Sequence, residues 1–334
     1  DLVRSRGLGD VYKRQIKNTF FILLSLLGLA CMMGSCQKSQ IALTEEGGLP
    51  WLKGKLVYHR YSSYGANDSQ MYLFDFATKQ LKIISEGWNI RNPMNAHFSP
   101  DGKKITFMGI GKDTNTWDIF LYDLTQAAAP TNLTPNHNTR DEDPKFSPDG
   151  KRIVFKQDFR VAEMDLTTRA VQVLSPSDCS MPYYNTTGTK LLCSKGDGAT
   201  SSIEVIDLKT GRITPLYDTP EVQDYYPINV DASSFYYSVG YSKHHAIDQV
   251  YRGFWDGRKS ERLPFNALDG NYSDAYPVNS QWVLLSSTRV GGLGGYDLYI
   301  AHVSTGEIFS MNAYNAQINT SKEELGAAVF VGSD

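Results

Sequence analysis

The sequence predicts an all-β protein, a six-bladed β-propeller of four-stranded blades that is closed by its own C-terminal strand. Three observations support this prediction. A Phe-Ser-Pro-Asp-Gly-Lys motif occurs twice, at residues 98–103 and 146–151. Runs of β-branched and aromatic residues return roughly every 40–50 residues, which is the period of a propeller blade. Aromatic residues make up 12% of the chain, and they favour strands over helices.

Each repeat is predicted to run from a strand through a tight turn into a second strand. In that turn, proline fixes φ at the first corner and glycine takes the left-handed position. A two-helix solenoid of similar period is excluded, because these segments lack helical periodicity. The second strands are predicted at residues 56–58, 105–107, 153–155, 191–193, 235–237 and 283–285, the third strands at 71–76, 118–124, 161–166, 203–208, 249–254 and 297–303, and short closing strands at 82–84, 171–174 and 213–216.

The two ends of the repeat region are predicted to share one blade. The first repeat has no first strand, whereas residues 327–334 look like a first strand with nothing after it. We therefore expect the C-terminal strand to pair in front of residues 54–58. Such pairing closes the ring and leaves no open strand edge.

The repeated motif resembles the TolB-type, WD-like propeller repeats. In those repeats a Phe-Ser-Pro-Asp-Gly-Lys turn precedes a β run and a strand that ends in Asp-Leu, as at residues 123–124, 165–166 and 207–208 here. The resemblance covers residues 50–334, although the turns at 185–188 and 230–233 are degenerate. It implies the fold and leaves the function open.

The N-terminal segment is predicted to lie outside the propeller. Residues 10–15 resemble the translated end of a transposase sequencing adapter, so residues 1–15 are interpreted as an artefact, with a natural basic tail as the alternative. Residues 16–35 are predicted to be a signal peptide, with Lys17 followed by an apolar run at 20–33 that is too short to span a bilayer core. A simple membrane anchor or a buried core helix is the alternative. Residues 36–49 are then a linker.

Cys36 is predicted to be lipidated. Met-Gly-Ser precedes it and polar residues follow, which resembles the lipobox of bacterial lipoproteins. Cys31 is a weaker candidate because it lies inside the apolar run. The resemblance implies a cell-envelope protein that is anchored to the membrane through Cys36. Since Gln37 and not Asp follows the cysteine, proteobacterial sorting rules imply the outer membrane.

The charge excludes a strongly basic nucleic-acid-binding protein. The chain has 33 Lys and Arg against 36 Asp and Glu, a formal charge of −3. Without residues 1–35, which hold five basic and two acidic residues, the charge becomes −6. No positive field then exists to hold phosphates, so we expect no nucleic-acid partner. We expect a monomer.

The chemistry-bearing motifs of common enzymes are absent from the sequence. There is no Gly-x-Ser-x-Gly elbow, and the glycines at 291–295 lie between two strands, where a hairpin loop is expected. No two of the six histidines have the i, i+4 spacing of a zinc site, although His97 is expected near the channel. We expect no cofactor and no metal. Cys179 and Cys193 are predicted to be free, partly buried thiols, because a hairpin places Cys193 opposite residue 182.

Acidic and tyrosine residues mark the predicted binding site. Aspartates repeatedly stand three residues before a proline, in segments that lead into first strands. Such entry loops ring one end of a propeller channel, so their carboxylates would focus a negative potential there. Turn capping alone and a catalytic pair are the alternatives. The candidate ligand-binding residues are Asp141, Asp143, Asp178, Tyr183, Asp224, Tyr225, Asp274, Tyr276 and His97.

Three functions fit this pattern. The leading hypothesis is a non-enzymatic envelope lipoprotein whose propeller binds a protein or peptide at an acidic, Tyr-rich channel mouth. The second is a glycan-binding or glycan-processing propeller of the lyase or glycosidase kind, in which tyrosines stack on sugar rings. The third is a structural scaffold that holds its partner on blade faces and not in the channel.

Overall fold

A computed structural model describes Leu49 and residues 51–135, 138–176, 178–196, 200–241 and 247–332, with only the backbone of Tyr241. The predicted artefact at 1–15, the predicted signal peptide at 16–35 and Cys36 lie outside the described residues. His137, His244 and His245 lie outside them as well.

The described residues form strands with a single short helix. The helix is a 3-10 turn at Met311–Ala313. One four-stranded sheet joins the chain ends and has the order β24 (Glu323–Val331), β1 (Gly54–Tyr61), β2 (Gln70–Asp75) and β3 (Leu81–Ile83). The next has the order β4 (Ile90–Phe98), β5 (Lys104–Gly111), β6 (Trp117–Asp123) and β7 (Thr131–Asn132).

Two more four-stranded sheets follow the same plan. They contain β8 (Asp141–Phe146), β9 (Arg152–Gln157), β10 (Arg160–Asp165) and β11 (Val171–Val173), and β20 (Tyr272–Pro277), β21 (Trp282–Ser287), β22 (Asp297–His302) and β23 (Ile308–Ser310). Between them in sequence lies an eight-stranded sheet of β12 (Cys179–Tyr184), β13 (Lys190–Gly196), β14 (Ser201–Asp207), β15 (Ile213–Tyr217), β16 (Val222–Asn229), β17 (Ser234–Tyr241), β18 (Asp248–Phe254) and β19 (Glu261–Arg262).

The all-β propeller prediction is confirmed, while the count of six separate blades stays a prediction. Four sheets have the predicted four strands. The remaining eight described strands form one sheet, whose halves are joined by a single parallel pair, Ser201 with Gln223.

The predicted Pro-Asp-Gly turns are present. Gly102 and Gly150 have φ of 65° and 69°, in the left-handed region that glycine tolerates. The Asp101 carboxylate accepts hydrogen bonds from Ser99 Oγ at 2.6 Å and from Lys103 N at 3.1 Å. This side-chain bonding holds the turn and fixes the register of the strands on either side.

The C-terminal strand closes the ring, as the sequence predicts. β24 pairs antiparallel with β1, with Leu56 opposite Val329 and Arg60 opposite Glu324. Six strands, which we call the inner strands, contact one another in turn around a central channel: β24, β4, β8, β12, β16 and β20, and then β24 again. The core lies between neighbouring sheets, where Tyr58, Phe107 and Phe155 are fully buried.

The prediction for Cys179 and Cys193 is right about their state and wrong about their distance. Both are free and buried, but their sulfur atoms lie 2.7 Å apart. The register shifts between Ser180 and Tyr183, which places Cys179 opposite Lys195. That bulge makes the two cysteines diagonal neighbours on one face of the hairpin.

Candidate functional site

A β-bulge at the same place in every inner strand builds the site. The strand register shifts at this point in each case. A residue with positive φ, between 50° and 60°, lies at each shift. We call these the bulge residues: Asn95, Asp143, Met181, Tyr226, Asp274 and Gly326. A bulge inserts an unpaired residue and re-aims side chains, and here several of those side chains meet in the channel.

The predicted site residues lie mainly in strands, so the prediction that they occupy entry loops is wrong. Asp141 and Asp143 belong to β8, Tyr183 to β12, Asp224 and Tyr225 to β16, Asp274 and Tyr276 to β20, and His97 to β4. Only Asp178 precedes its strand, and its side chain is exposed. The hairpin partners extend these strands further toward their N-terminal ends than the sequence pattern indicates.

Asp141 and Asp224 do not join the channel. Asp224 Oδ2 accepts a hydrogen bond from Thr219 N at 2.8 Å, in the segment that leads into its strand. Asp141 Oδ2 accepts one from Thr139 Oγ1 at 3.3 Å. Both side chains are fully buried, and burial raises the pKa of Asp141 to about 6. These two carboxylates therefore cap the segments that lead into their strands.

Asp143 and Asp274 do meet in the channel, where both interact with Lys145. Asp143 Oδ1 accepts a hydrogen bond from Asn95 Nδ2 at 2.8 Å. Asp274 Oδ2 accepts a long one from Gly326 N at 3.4 Å. Lys145 interacts electrostatically with both carboxylates, and its ammonium lies 5.9 Å from the centre of the Tyr226 ring. Two buried acids therefore share one buried cation.

Burial perturbs the titration of this cluster. Burial raises the pKa of Asp143, whereas the positive charge of Lys145 lowers it. Burial raises the pKa of Asp274 to about 6, although the hydrogen bond from Gly326 N lowers it. Burial lowers the pKa of Lys145, whereas the charges of Asp143 and Asp274 raise it. Burial therefore opposes the charged form of all three groups, and the attraction between Lys145 and the two carboxylates favours it.

His97 organises a second layer, two residues beyond the bulge. Its Nδ1 accepts a hydrogen bond from Phe146 N at 3.1 Å, so the ring proton lies on Nε2. Nε2 therefore donates to the Tyr183 hydroxyl, 3.1 Å away, and Tyr183 donates in turn to Tyr276. Burial lowers the pKa of His97 to about 3, so the ring is neutral.

The predicted tyrosines therefore do not share one mouth. Tyr183 and Tyr276 lie after the bulge in their strands, whereas Tyr225 lies before it. Tyr225 donates its hydroxyl proton to Asp248, a buried acid of β18. Burial raises the pKa of Asp248 to about 6.

A cavity opens on the face at which the inner strands begin, which we call the entry face. Its empty space is about 340 Å³ when the solvent-filled opening is included. Asp274 and Asn95 supply polar groups, and Tyr61, Tyr64 and Tyr226 supply aromatic rings. The complete lining is His59, Tyr61, Tyr64, Met94, Asn95, Met108, Tyr226, Asp274 and Leu325. A mainly apolar pocket with a few convergent polar groups is typical of a ligand site.

The entry face also carries apolar side chains that are exposed to solvent. Phe159, in the turn between β9 and β10, is 57% exposed, and Leu268, before β20, is 82% exposed. Val290 and Leu293, in the loop between β21 and β22, are 76% and 60% exposed. In antiparallel sheets these connections all lie at the ends where the inner strands begin. Leu268, Val290 and Leu293 flank one sheet, whereas Phe159 lies on the opposite side of the ring. Exposed apolar side chains that share a face can contribute to an interaction surface.

Sequence reasoning missed most of the cavity lining. The candidate ligand-binding residues predicted from the sequence do not include the lining residues His59, Asn95 and Tyr226. They also do not include Lys145, which interacts with Asp274 without lining the cavity. Lys145 stands directly before the repeated Phe-Ser-Pro-Asp-Gly motif, where His97 stands in the other well-matched copy. That contrast is the signal that could have identified position 145 as a channel position.

Within the described ranges, no three His, Cys, Asp or Glu residues are grouped so that they could hold a metal ion. The same part of the chain contains no helix of sufficient length and hydrophobicity to cross a bilayer.

The polar cluster in the channel consists of charged and hydrogen-bonded side chains. Asp143 and Asp274 are each engaged with neighbouring groups, and both face the same lysine.

Taken together, the ring of inner strands and the radial sheets define the protein as a β-propeller. No family model matches the sequence, and no curated protein matches it. Among solved structures, TolB from Acinetobacter baumannii is similar, with a TM-score of 0.64 and 20% identity. The match covers 83% of this chain and 66% of that chain.

Two further solved structures show the same architecture. Hydrazine synthase from Kuenenia stuttgartiensis has a TM-score of 0.66 and 13% identity, over 84% of this chain and 47% of that chain. A chain of the nidogen/laminin complex has a TM-score of 0.57 and 10% identity, over 83% of this chain and 98% of that chain. At such identities the likeness shows the fold alone.

Proposed function

We propose that this protein is a non-enzymatic binding propeller of the bacterial cell envelope, which holds an extended segment of a partner protein across its entry face. The observation that carries this proposal is that the cavity and the exposed apolar loops lie on one face. The similarity to TolB from Acinetobacter baumannii supports it at the level of the fold.

The apolar loops would supply the binding energy. Leu268 and Val290 are the two most exposed large apolar side chains of the described residues. Covering such a side chain contributes about 1.5–3 kcal/mol when burial is complete. A partner segment with apolar side chains is therefore the occupant that this surface fits.

The cavity would supply specificity. Its rim residue Tyr64 is half-buried, whereas Tyr61 and Tyr226 are buried and fix the shape of the pocket. Hydrogen bonds inside the channel already hold Asn95 and Asp143 in place. Such a preformed pocket costs little ordering entropy on binding.

Binding can be tested by selecting displayed peptides of random sequence against the full chain and mapping the site with charge substitutions. Leu268→Asp and Val290→Asp should each weaken the selected peptides at least tenfold. Val171→Asp is the matched control, because Val171 is exposed on an outermost strand at 43%. If Val171→Asp abolishes binding while the entry-face variants retain it, the scaffold hypothesis is correct and this proposal is wrong.

The envelope location is proposed from the sequence of the N-terminal segment. Cys36 would carry the lipid that anchors the protein. Cys36→Ser should release the protein from the membrane fraction, while Cys31→Ser, the matched control, should leave it bound. Membrane retention of the Cys36→Ser protein would contradict the anchor.

The architecture is proposed to have six blades. β12–β15 and β16–β19 would form two separate blades, because the strand pairing between them is limited to Ser201 with Gln223. The six inner strands in contact around the channel support this count. An experimental structure with one merged blade in this region would contradict it.

A further inference from the structure

We infer that the entry-face cavity binds a cationic side chain, a lysine ammonium or an arginine guanidinium, of the partner segment. This inference rests on the proposed function and names the chemistry of the group that the pocket selects. Three features of the pocket support it: its charge, its aromatic rings and its apolar wall.

Asp274 is the charged group among the described residues that line the cavity. Its side chain is 7% exposed, and within the described residues its carboxylate accepts only the long hydrogen bond from Gly326 N. A buried carboxylate with one 3.4 Å hydrogen bond retains most of its hydrogen-bonding capacity. A cation in the cavity could use that capacity.

The surrounding charges leave room for a further positive group. Asp274 interacts electrostatically with Asp143 and with Asp248, Lys145 faces Asp143 and Asp274, and Lys156 also faces Asp143. The neighbouring acid Glu142 is already paired with Lys156 Nζ at 2.7 Å and with Arg140 Nη2 at 2.6 Å. With Glu142 included, four buried acids face three cations, Arg140, Lys145 and Lys156, and this excess of acids favours a cationic ligand over an anionic one.

The rest of the lining suits the shape of a long basic side chain. The rings of Tyr61, Tyr64 and Tyr226 can face a cation, which aromatic faces attract within about 6 Å. Met94, Met108 and Leu325 offer an apolar wall for the methylene stem. Methionine adapts to stems of different length, so the pocket can accept lysine or arginine.

The test compares two small probes that differ in one charged group. N-acetyl-lysine methylamide should bind the full chain at least tenfold more tightly than N-acetyl-norleucine methylamide at pH 7.5. Asp274→Asn should remove this preference. Asp141→Asn is the matched control, because Asp141 is an equally buried acid that faces the entry segment and not the cavity.

A pH titration of the unmodified protein checks the inference without any substitution. Since burial raises the pKa of Asp274 to about 6, lysine-probe binding should weaken as the pH falls below that value. Asp143, Lys145 and Asp248 face Asp274 and will shape the curve. Equal affinity of the two probes at every pH would overturn the inference. If displayed peptides still bind at the entry face in that case, the proposed function is retained and only the selection of a cationic side chain is wrong.

A separate observation supports a second inference. We propose that Cys179 and Cys193 form a disulfide when the chain folds in the presence of a low-molecular-weight disulfide. Their sulfur atoms are in direct contact at 2.7 Å, and both lie in one buried cluster with Val154 and Leu191. Two thiols and one glutathione disulfide give one protein disulfide and two glutathione thiols, so the cysteines are oxidised and the reagent is reduced.

The test uses the full chain with Cys31→Ser and Cys36→Ser, which leaves one thiol pair. Refolding with oxidised glutathione should remove both titratable thiols in denaturant and yield a crosslinked peptide pair in the mass spectrum. Adding Cys193→Ser should leave Cys179 as a free thiol or a glutathione adduct. Two free thiols after refolding of the parent, or adducts without a crosslink, would overturn the proposal.

Discussion

Asn95 Nδ2 donates a hydrogen bond to Asp143 Oδ1 at 2.8 Å and thereby joins the bulge residues of two neighbouring inner strands. Asn95 is 6% exposed and Asp143 is 4% exposed, so water does not replace this bond when it is lost. The bond also connects two neighbouring sheets, β4–β7 and β8–β11, inside the channel. It therefore contributes both to the stability of the ring and to the shape of the cavity that Asn95 lines.

Asn95→Ala should lower the free energy of unfolding by about 1–3 kcal/mol, because it leaves a buried carboxylate without its donor. Asn67→Ala is the control, since Asn67 is exposed and has nearly the same φ, 55° against 53°. Both substitutions place alanine in a left-handed conformation, and Asn67→Ala also removes the 2.7 Å hydrogen bond from Asn92 Nδ2. Their difference therefore reports how much more the Asn95–Asp143 bond contributes than the Asn67–Asn92 bond. Equal losses in urea titrations would show that the Asn95–Asp143 bond contributes no more than the control bond.

His97 should make stability fall with acidification. Its folded-state pKa is lowered by burial to about 3, whereas an unfolded histidine titrates near 6.5. Between these values the unfolded chain binds a proton that the folded chain rejects, so lower pH favours unfolding. The stability difference between wild type and His97→Gln should fall by about 2 kcal/mol from pH 7 to pH 5. The titration of His59 and of the acidic residues affects the stability of both proteins equally and cancels in the difference. A difference independent of pH would contradict the neutral, buried ring.

Gly326 should tolerate no side chain. It has φ of 59°, and a Cβ there would lie 2.5 Å from His59 Cε1 and 2.8 Å from Asn95 Oδ1. Gly326→Ala should cost more than the roughly 1 kcal/mol of the backbone conformation alone. Gly87→Ala supplies that reference, because Gly87 has φ of 78° and nothing within 4 Å of its Cβ position. In thermal unfolding, a larger loss of stability for Gly326→Ala than for Gly87→Ala measures the steric clash beyond the backbone strain. Equal losses would mean that the clash contributes nothing.

The ion pair between Arg60 and Glu324 should hold the closing strand. Arg60 Nε lies 2.7 Å from Glu324 Oε1, and the Glu324 side chain is fully buried. Arg60→Met leaves that carboxylate unpaired and should cost about 3–5 kcal/mol. Adding Glu324→Leu should restore most of the loss, since an apolar pair replaces an isolated charge. A double variant no more stable than Arg60→Met would mean that Arg60 acts through its packing on Tyr72 instead.

The fold was predictable because its signals are local. The Pro-Asp-Gly turns at Gly102 and Gly150 specify where strands reverse, and the missing first strand of the opening repeat indicates closure by the C-terminal strand. The site was less predictable, because the bulges decide which side chains enter the channel. Asp141 and Asp143 are two residues apart in one strand, yet only Asp143 reaches the channel cluster. Bulge residues as different as Met181 and Gly326 share no sequence signature, since neighbouring strands impose the conformation.

The most direct test of ligand binding in the entry-face cavity is methyl NMR of the full chain labelled at its methionine methyl groups. Met94 and Met108 line the cavity, whereas Met71 and Met311 are fully buried elsewhere and serve as internal references. Titration with a selected lysine-containing peptide should shift the resonances of Met94 and Met108 and leave those of Met71 and Met311 in place. Saturable binding that leaves Met94 and Met108 unshifted would place the ligand outside the cavity and contradict the account.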